Sequence, residues 1–330
     1  MNDKIKVLIL GLGKYGHSFA ASVLPKCSEC AELVAVVDRR EESFEGIPES
    51  VSCYTDLMTA VDEVKPDLVI NITPPDAHTS INELLLSKGV AVMCEKPISG
   101  KREDAEKIHS IYNEKGGFLM IGENYRYRKV IREAKKILNS GKLGNIHHVE
   151  AHFRHYHPDY TQFYHGQLPH PLLTDVAVHH LDLARYISSQ EPVKVYCREY
   201  SAPYTWYQHR PATAHIETEM TGGVICNYRG TLASPVTTTD WNGDWEIECD
   251  KGVLKIYNGN VKIITEEDVK EYFVCNGDED SRVQMLEEAC MALKEGRKAE
   301  TDLNDNYKSF MWIQSAIASS ESGEWITVKE

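Results

Sequence analysis

Two carboxylates and a histidine are spaced so that one helix face could carry out proton transfer. Asp175, His179 and Asp182 occupy positions i, i+4 and i+7 of the stretch from Leu172 to Ile187, where apolar residues recur at helical spacing. The Asp175 carboxylate can therefore orient the His179 imidazole and raise its basicity, as a general base requires. Because leucines and valines cover most of the remaining surface, we expect this polar stripe to face a pocket. On spacing alone, a purely structural Asp–His pair explains the pattern equally well.

A second set of polar residues lies where predicted parallel strands end. Ligands bind beyond the carboxyl ends of such strands, at the point where the strand order reverses. These residues follow the apolar runs 67–71 and 90–94, and they are Thr73, Pro74, His78, Glu95 and Lys96. Lys96 is followed by a proline that restricts its backbone, so we interpret it as a site residue. The alternative is a surface lysine at the start of a loop.

The first 40 residues have the pattern of a dinucleotide-binding turn. An apolar run over residues 5–10 precedes the glycine motif, and a second run over residues 33–37 ends at Asp38, 22 positions after the last motif glycine. The loop that we expect to contact a pyrophosphate consists of Gly11, Leu12, Gly13, Lys14, Tyr15 and Gly16. Its glycines permit a tight turn, close approach of the phosphates and close packing of the helix on the strand. Asp38 favours NAD, because a carboxylate accepts the ribose hydroxyls and repels a 2′-phosphate, whereas Arg39 and Arg40 leave NADP open.

The order of predicted elements changes near residue 122. Up to that point strands alternate with helices, which predicts a doubly wound parallel sheet of the Rossmann type. From residue 123 onward, a helix over 129–139 precedes seven strand-like runs, which the helix from Leu172 interrupts and two final helices close. This order predicts an α+β domain with a large open, mainly antiparallel sheet and helices on one face. We therefore expect a Rossmann dinucleotide-binding domain at 1–122 and a substrate and oligomerisation domain at 123–330, whose last helix can pack back on the first domain.

Composition narrows the class of protein. Lys plus Arg total 36 and Asp plus Glu total 50, a formal net charge of −14, which argues against nucleic acid or an anionic membrane surface as a partner. No apolar stretch approaches the ~18 residues of a membrane span. Nine scattered cysteines and a start without a signal-peptide pattern predict a cytoplasmic protein with reduced thiols. Nine of the 14 histidines fall between residues 147 and 180, without an HxxEH or HExxH spacing. Asp175, His179 and one strand histidine could form a three-ligand zinc site, but a histidine-lined polar pocket or exposed strand histidines explain the cluster without metal, so we expect none.

Four motifs in this order resemble the Gfo/Idh/MocA family, named after glucose–fructose oxidoreductase and inositol dehydrogenase. They are the N-terminal glycine motif, Glu95-Lys96-Pro97, Asn124-Tyr125-Arg126 and the helix motif Asp175-Val-Ala177-Val-His179-His-Leu-Asp182. The resemblance spans essentially the whole chain. Two departures occur: Ala177 stands where family sequences usually have glycine, and the glycine-rich run before the helix is replaced by Gly166-Gln-Leu-Pro-His170-Pro171.

The resemblance implies reversible hydride transfer between a nicotinamide cofactor and a secondary hydroxyl of a sugar, inositol or related polyol. It implies that Lys96 and His179 flank this hydroxyl and that Asp175 supports His179. We assign the proton to His179 and stabilisation of the alkoxide to Lys96. The resemblance also implies a cofactor contact for Asn124, a substrate contact for Arg126 and a Lys-Pro peptide that is commonly cis. The loops 155–171 and 200–211 are rich in histidine and aromatic residues, which suits stacking on a sugar ring and makes His155 a further substrate candidate.

We also expect the chain to associate with a second copy of itself. The predicted strands outnumber the helices that could cover them, so we expect an apolar open sheet face that a second subunit buries, in a dimer or a tetramer.

A glycosidase of the same fold, which eliminates a glycosidic substituent after transient oxidation, is the alternative enzyme. A non-catalytic NAD sensor is the other alternative, and the intact set of Lys96, Asp175 and His179 argues against it.

Overall fold

The computed structural model describes residues 4–156, 167–201, 210–275 and 280–329. The chain divides into two compact units, one comprising Met1–Asn124 and Asp280–Tyr307 and the other comprising Tyr125–Glu279 and Lys308–Glu330. The segment Asp280–Tyr307 thus groups with the first unit, whereas a boundary after residue 122 assigns it to the second domain. Within the described ranges, no helix combines the length and apolar character needed to cross a membrane.

The first unit is built on a parallel six-stranded sheet in the order β3-β2-β1-β4-β5-β6. The strands are β1 (Ile5–Leu10), β2 (Ala31–Val37), β3 (Ser52–Tyr54), β4 (Leu68–Asn71), β5 (Ala91–Cys94) and β6 (Leu119–Ile121). The central strands are almost wholly buried, which explains their continuous apolar runs. The order reverses where β1 pairs with β4, so the ligand-binding edge of this sheet lies at the carboxyl ends of these two strands. The predicted doubly wound sheet is confirmed.

Helices alternate with these strands. They are α1 (Lys14–Ser18), α2 (Leu57–Val64), α3 (Pro75–Ser87) and α4 (Arg102–Lys115). After α1 the helical path continues as a π-helical segment, Phe19–Val23, and then as a 3-10 segment, Leu24–Cys27. Pro74 stands at the N-cap of α3 and Pro75 at its first position, where proline costs no helical hydrogen bond.

The second unit contains a mixed nine-stranded sheet in the order β14-β13-β12-β11-β7-β10-β9-β8-β15. The strands are β7 (Ile146–Arg154), β8 (Pro192–Tyr200), β9 (Thr213–Met220), β10 (Ile225–Thr231), β11 (Asp244–Cys249), β12 (Gly252–Tyr257), β13 (Asn260–Ile264), β14 (Val269–Phe273) and β15 (Ile326–Thr327). Only the pair β7–β10 is parallel, so the prediction of a mainly antiparallel sheet is confirmed. The edge strands β14 and β15 were not predicted; β14 is exposed throughout and shows no alternation of buried and polar positions.

Helices cover one face of this sheet. They are α5 (Lys129–Asn139), α6 (Val178–Ser188) and the part of α8 (Leu303–Ser322) from Lys308 onward, whose Trp312 and Ile313 join the same core. Helix α7 (Ser281–Glu295) belongs to the first unit. Apolar side chains of α5 and α6, such as Ile131 and Leu181, join strand residues such as Val149 and Ile216 in one core. Helix α6 is preceded by a π-helical segment, Leu172–Ala177, where a continuous α-helix was predicted.

No described part of the chain covers the opposite face of the same sheet, and this uncovered face is charged, not apolar as predicted. Four basic residues lie side by side across neighbouring strands, in the order Arg198, His215, Arg229 and His152. A second row lies two positions away from the first along the strands, and it contains Glu217, Asn227, Glu150 and Glu246. Alternation along the strands produces this arrangement, because successive side chains point to opposite faces. A depression of about 760 Å³ lies over the two rows.

Candidate functional site

The loop between β1 and α1 has the shape that a phosphate cradle needs. Gly11 has a φ of +96°, and a Cβ atom there would lie 2.8 Å from the Ile72 carbonyl oxygen. A Cβ atom at Gly16 would lie only 2.0 Å from the Gly11 carbonyl oxygen, so glycine is required to close the turn. A Cβ atom at Gly13, by contrast, would meet no heavy atom of the described chain within 4 Å. The open space before Gly13 lets a pyrophosphate approach the backbone, and the loop therefore fits a dinucleotide.

Asp38 is tied to this loop. The Leu12 amide donates to Asp38 Oδ2 at 2.8 Å, and the Arg40 amide donates to Oδ1 at 3.0 Å. Partial burial works to raise the pKa of Asp38, but these hydrogen bonds outweigh it and hold the pKa below its usual value. The carboxylate is therefore ionised and able to accept hydrogen bonds from ribose hydroxyl groups. Arg39 is exposed, and Arg40 Nε lies 3.3 Å from Asp38 Oδ1, so one of the two arginines already pairs with the carboxylate.

The start of α1 contacts the start of α7. Lys14 is exposed, and the Tyr15 ring lies 5.5 Å from the Phe19 ring, with the Arg282 guanidinium 5.0 Å from the Tyr15 centroid. Burial around its hydroxyl raises the pKa of Tyr15 far above the usual value, although 39% of the residue is exposed. Asn124, predicted to contact the cofactor, donates from Nδ2 to Ser281 Oγ at 2.9 Å. The sequence motifs identify neither Arg282 nor Ser281, because both follow the sheet by more than 150 residues.

Polar contacts organise the ends of β4 and β5. Asn71 Oδ1 accepts hydrogen bonds from Thr73 N at 3.2 Å and from Thr73 Oγ1 at 2.7 Å. His78 is fully buried, and its ring nitrogens lie 2.9 Å from the Pro97 carbonyl oxygen and 2.8 Å from the Thr73 carbonyl oxygen. Burial lowers the pKa of His78. We infer that His78, predicted as a cofactor ligand, holds the two strand-end loops together.

Glu95 and Lys96 follow β5 directly. The Lys96–Pro97 peptide bond is cis, as the resemblance implies. Burial raises the pKa of Glu95 to about 7, the Lys96 ammonium opposes this rise, and the negative charge of Glu123 adds to it. Glu95 Oε1 would lie 3.0 Å from a Cβ atom at Gly122, so its carboxyl group is packed against the chain. A half-buried ammonium next to this group stands at the ligand-binding edge of the sheet.

In the second unit, His179 is held by a stacked aromatic ring. The rings of Tyr125 and His179 are nearly parallel, with centroids 4.1 Å apart and an interplanar angle of 10°. The Arg128 guanidinium lies 4.3 Å from the Tyr125 centroid. His179 is 6% exposed, and Asp175 is half-buried in the π-helical segment. The stacked Tyr125 ring therefore fixes the plane of the His179 imidazole.

The neighbouring histidine has a different environment. His180 is fully enclosed, with Nδ1 3.0 Å from the Tyr228 hydroxyl oxygen and Nε2 2.8 Å from the Trp241 carbonyl oxygen. Burial, together with the nearby His179 and Arg128, lowers the pKa of His180 to about 3. His180 is thus neutral at physiological pH and structural.

Asp182 does not face a pocket as predicted, because it forms a buried ion pair. Arg126 Nε donates to Asp182 Oδ2 at 2.6 Å, and Arg126 Nη2 donates to Oδ1 at 2.6 Å. Ser309 Oγ donates to the same Oδ1 at 2.7 Å. The side chains of Arg126 and Asp182 are only 4% and 1% exposed. The geometry assigns Arg126, predicted as a substrate ligand, to anchoring the helix that carries His179.

His155 also has protein partners. Its Nε2 lies 3.0 Å from the Thr239 carbonyl oxygen, and its ring stacks on Trp241 with centroids 4.2 Å apart. Burial lowers the pKa of His155. Much of the two loops predicted to contact a sugar, residues 157–166 and 202–209, lies outside the described residues. Over the part of the chain that is described, no three His, Cys, Asp or Glu side chains are arranged to hold a metal ion.

Two family models match the chain. One describes an oxidoreductase family with an NAD-binding Rossmann fold and matches residues 5–123, and the other describes the GFO/IDH/MocA C-terminal domain and matches residues 131–255. The chain belongs to the Gfo/Idh/MocA family. As a family member it is an NAD(P)-dependent oxidoreductase, and residues 5–123 are its NAD-binding domain.

Named relatives and solved structures agree with this family. Uncharacterized protein y4oX of Sinorhizobium fredii is 21% identical, over 98% of this chain and 96% of that protein. Inositol 2-dehydrogenase of Rhizobium meliloti is 27% identical over 57% of this chain, and the match covers 56% of that enzyme. An oxidoreductase from Agrobacterium radiobacter, solved in complex with NAD+, L-tartaric acid and magnesium, superposes with a TM-score of 0.88 at 18% identity and covers 99% of both chains. At 18% identity, this structural similarity shows that the two proteins share a fold and is no evidence of a shared substrate.

The Gfo/Idh/MocA motifs do not reveal every residue that shapes the site. Tyr125 stands in the middle of the Asn-x-Arg motif, where the family pattern specifies no residue, yet its ring packs on His179. Arg128 and Glu123 flank the same motif and act through charge. Their closeness in sequence to Asn124 is the one signal that could have drawn attention to them.

Proposed function

We propose that this member of the Gfo/Idh/MocA family oxidises a secondary hydroxyl of a sugar, an inositol or a related polyol with NAD. The observation that carries the proposal is the contrast between two adjacent histidines, of which His180 is a structural residue and His179 is held by its ring face. A matched inositol 2-dehydrogenase supports the substrate class. The ionised Asp38 beside the glycine loop supports NAD over NADP, since a 2′-phosphate would meet a negative charge.

Each candidate catalytic residue has a distinct task in this proposal. His179 accepts the proton of the substrate hydroxyl, and Asp175 stabilises the imidazolium that forms. Lys96 stabilises negative charge on the hydroxyl oxygen as its proton leaves. The bound nicotinamide supplies the acceptor for the hydride that the carbinol carbon loses. Tyr125 and the Arg126–Asp182 pair act as positioning residues for His179.

Steady-state NADH production from a panel of sugars, inositols and sugar acids tests this function. With an identified substrate, His179→Ala and Lys96→Met should each lower kcat by roughly 10²–10⁴-fold, the usual effect of losing an acid–base group. NADH affinity should stay close to that of the wild type in both variants. His147→Ala, a change of an exposed histidine at the start of β7, is the matched control and should leave kcat unchanged.

Three outcomes would contradict the proposal. Full activity of His179→Ala with an inactive Lys96→Met would make Lys96 the base. Release of a glycosidic substituent without net NADH production would favour the glycosidase. NAD binding without turnover on the whole panel would favour a sensor.

We also propose that two subunits associate through the uncovered sheet face. The basic row on this face consists of Arg198, His215, Arg229 and His152, and the carboxylate-rich row lies beside it. A two-fold axis perpendicular to this face can therefore place the basic row of one copy against the carboxylate-rich row of the other. Because charges dominate, the association should weaken with salt. Light scattering at low and high ionic strength tests it, and a 37.4 kDa monomer at micromolar concentration and low salt would contradict it.

A further inference from the structure

The Tyr125 ring carries a positively charged group on the face opposite His179. The His179 imidazole is stacked on Tyr125 with centroids 4.1 Å apart, and Arg128 Cζ lies 4.3 Å from the same Tyr125 centroid. Two planar groups cannot share one face of a six-membered ring at these distances, so they occupy opposite faces. The three side chains therefore form one stack, in the order Arg128, Tyr125 and His179.

The Arg128 side chain is fixed in this stack by its surroundings. Arg128 is the N-cap residue of α5, and its carbonyl oxygen accepts hydrogen bonds from the Ile131 and Arg132 amides at 3.0 Å. Its Nη1 donates to Asn242 Oδ1 at 3.3 Å, and Asn242 is buried. Its Nε is buried and has no hydrogen-bond partner among the described residues. The guanidinium is thus held by the face of the Tyr125 ring and by one amide oxygen.

Most other charges near His179 are paired or absent. The charged or titratable groups around it in the second unit are Asp175, His180 and Asp182 on its own helical segment, Arg126 and Arg128 before α5, Tyr228 on β10, His155 after β7 and Asp240 before β11. Asp182 is paired with Arg126, and His180 is neutral. Asp240 lines a small cavity together with Arg128, but no described carboxylate forms an ion pair with Arg128. The positive charge of Arg128 therefore acts on the stack.

A positive charge on one face of the Tyr125 ring disfavours a second positive charge on the other face. The Arg128 charge already contributes to the low pKa of the neighbouring His180. We propose that Arg128 is a positioning residue that acts on His179 through the Tyr125 ring and keeps the imidazole neutral until it accepts the substrate proton. Arg128 thus opposes Asp175, whose carboxylate favours the imidazolium in the proposed mechanism. The inference rests on the proposed role of His179 as the base.

The size of the effect follows from the distance between the two charges. On opposite faces of the Tyr125 ring, the guanidinium and the imidazole lie about 8 Å apart. A unit charge at about 8 Å, with an effective dielectric constant of about 20, changes a pKa by roughly 1.5. Solvent and the Asp240 carboxylate weaken this effect, so removal of the Arg128 charge should raise the pKa of His179 by about 0.5–1.5.

An NMR titration of the histidine side chains tests the charge effect without a substrate. The full-length protein is labelled with 13C-histidine, and the His179 signal is assigned by its loss in His179→Gln. The pKa of His179 should rise by about 0.5–1.5 in Arg128→Gln, and Arg128→Lys, which keeps the charge, should restore the wild-type value. Lys129→Gln, which removes the exposed charge next to Arg128 in the chain, is the matched control and should leave this pKa unchanged.

The pH dependence of kcat tests the connection to catalysis. With an identified substrate, the acidic limb of kcat reports the base, so it should move to higher pH in Arg128→Gln by the same amount as the pKa of His179. NADH affinity should not change, because the stack lies outside the NAD-binding domain. Thermal melting verifies that each variant is folded, and Arg128→Met replaces Arg128→Gln if the glutamine variant is not.

The two measurements separate this inference from the proposed function. An unchanged pKa of His179 in a folded Arg128→Gln variant, or an equal rise in Lys129→Gln, would overturn the inference. If His179→Ala abolishes NADH production while Arg128→Gln leaves the acidic limb in place, the proposed function stands and the role of Arg128 is wrong. If the pKa of His179 rises as expected but no compound of the panel yields NADH, the charge effect stands and the proposed function is wrong.

Discussion

Two glycines of the cofactor loop should respond to the same small change in opposite ways. Replacing Gly16 with alanine adds a Cβ atom 2.0 Å from the Gly11 carbonyl oxygen, so the backbone has to move. Replacing Gly13 with alanine adds a Cβ atom to a position with no described heavy atom within 4 Å. The φ of Gly13 is −70°, a value that alanine adopts without strain. Gly13→Ala should therefore fold normally and block the cofactor, whereas Gly16→Ala should destabilise the fold.

The magnitudes follow from packing. Overpacking a filled site costs about 1–3 kcal/mol, and a contact to backbone at 2.0 Å belongs at the upper end of that range. Gly16→Ala should then lower the Tm of the protein without cofactor by roughly 6–12 °C. Gly13→Ala should change that Tm by less than about 2 °C, as surface substitutions do. If the added methyl group occupies space that the pyrophosphate needs, the Kd for NADH should rise by roughly 5–150-fold.

Thermal melting without ligand and a fluorescence titration with NADH measure the two effects separately. Adenosine serves as the control ligand, because it lacks the pyrophosphate and retains the ribose hydroxyls that Asp38 can accept. The ratio of NADH affinity to adenosine affinity should fall in Gly13→Ala. Wild-type NADH affinity in a folded Gly13→Ala variant would refute the placement of the phosphates at this loop.

Three further predictions concern buried or paired charges. Arg126→Met and Asp182→Leu should each lower the free energy of unfolding by about 3–5 kcal/mol, because each change removes the bidentate partner of a buried charge. The double variant should lose far less than the sum of the two in urea denaturation. Asp38→Ser should lower the ratio of the NADPH Kd to the NADH Kd by tenfold or more, because the carboxylate that repels a 2′-phosphate is removed and Arg40 loses its partner. An unchanged ratio would contradict this role of Asp38. Glu95 has its pKa raised from 4.5 to about 7 in the folded state, so its contribution to stability is present below pH 4.5 and is lost as pH rises through 7. Between these pH values the free energy of unfolding of the wild type should fall by about 1–3 kcal/mol relative to Glu95→Gln, as measured by urea denaturation across pH.

Local patterns were sufficient to predict five of the six strands of the first unit. The glycine motif stands between two apolar strands, and β4, β5 and β6 are short apolar runs with turn residues on both sides. The edge strand β3, Ser52–Tyr54, was not predicted, because its residues are mostly exposed and form no apolar run. The helix over 129–139 was predicted with the boundaries that the structure shows. Strand β14 was missed because its five residues are all exposed, and β15 because it has only two residues. Neither strand has a pattern of burial for periodicity to detect.

The site was harder to predict, because helical spacing shows which residues share a face and does not show what they contact. Asp182 belongs to the same polar stripe as His179, yet Arg126 lies 56 positions earlier and fully engages its carboxylate. Similarly, His78 is a polar residue at a strand end, as a ligand would be, but its ring contacts two backbone carbonyl groups. Such pairings arise from tertiary packing, which leaves no trace in a single sequence.

The polar stripe from Asp175 to Asp182 therefore contains residues of two kinds. Asp175 and His179 are the proposed catalytic residues, and Asp182 anchors the helix. A buried carboxylate such as Asp182 would be costly without its partners, so Arg126 and Ser309 restrict the rotation of the helix that carries it. His179 lies three residues before this anchor and is stacked on Tyr125, the residue next to Arg126 in the chain. The segment 125–126 thus fixes the helix and the imidazole ring together. Loss of either contact should impair catalysis by displacing His179, even though neither Arg126 nor Tyr125 takes part in proton transfer in the proposed mechanism.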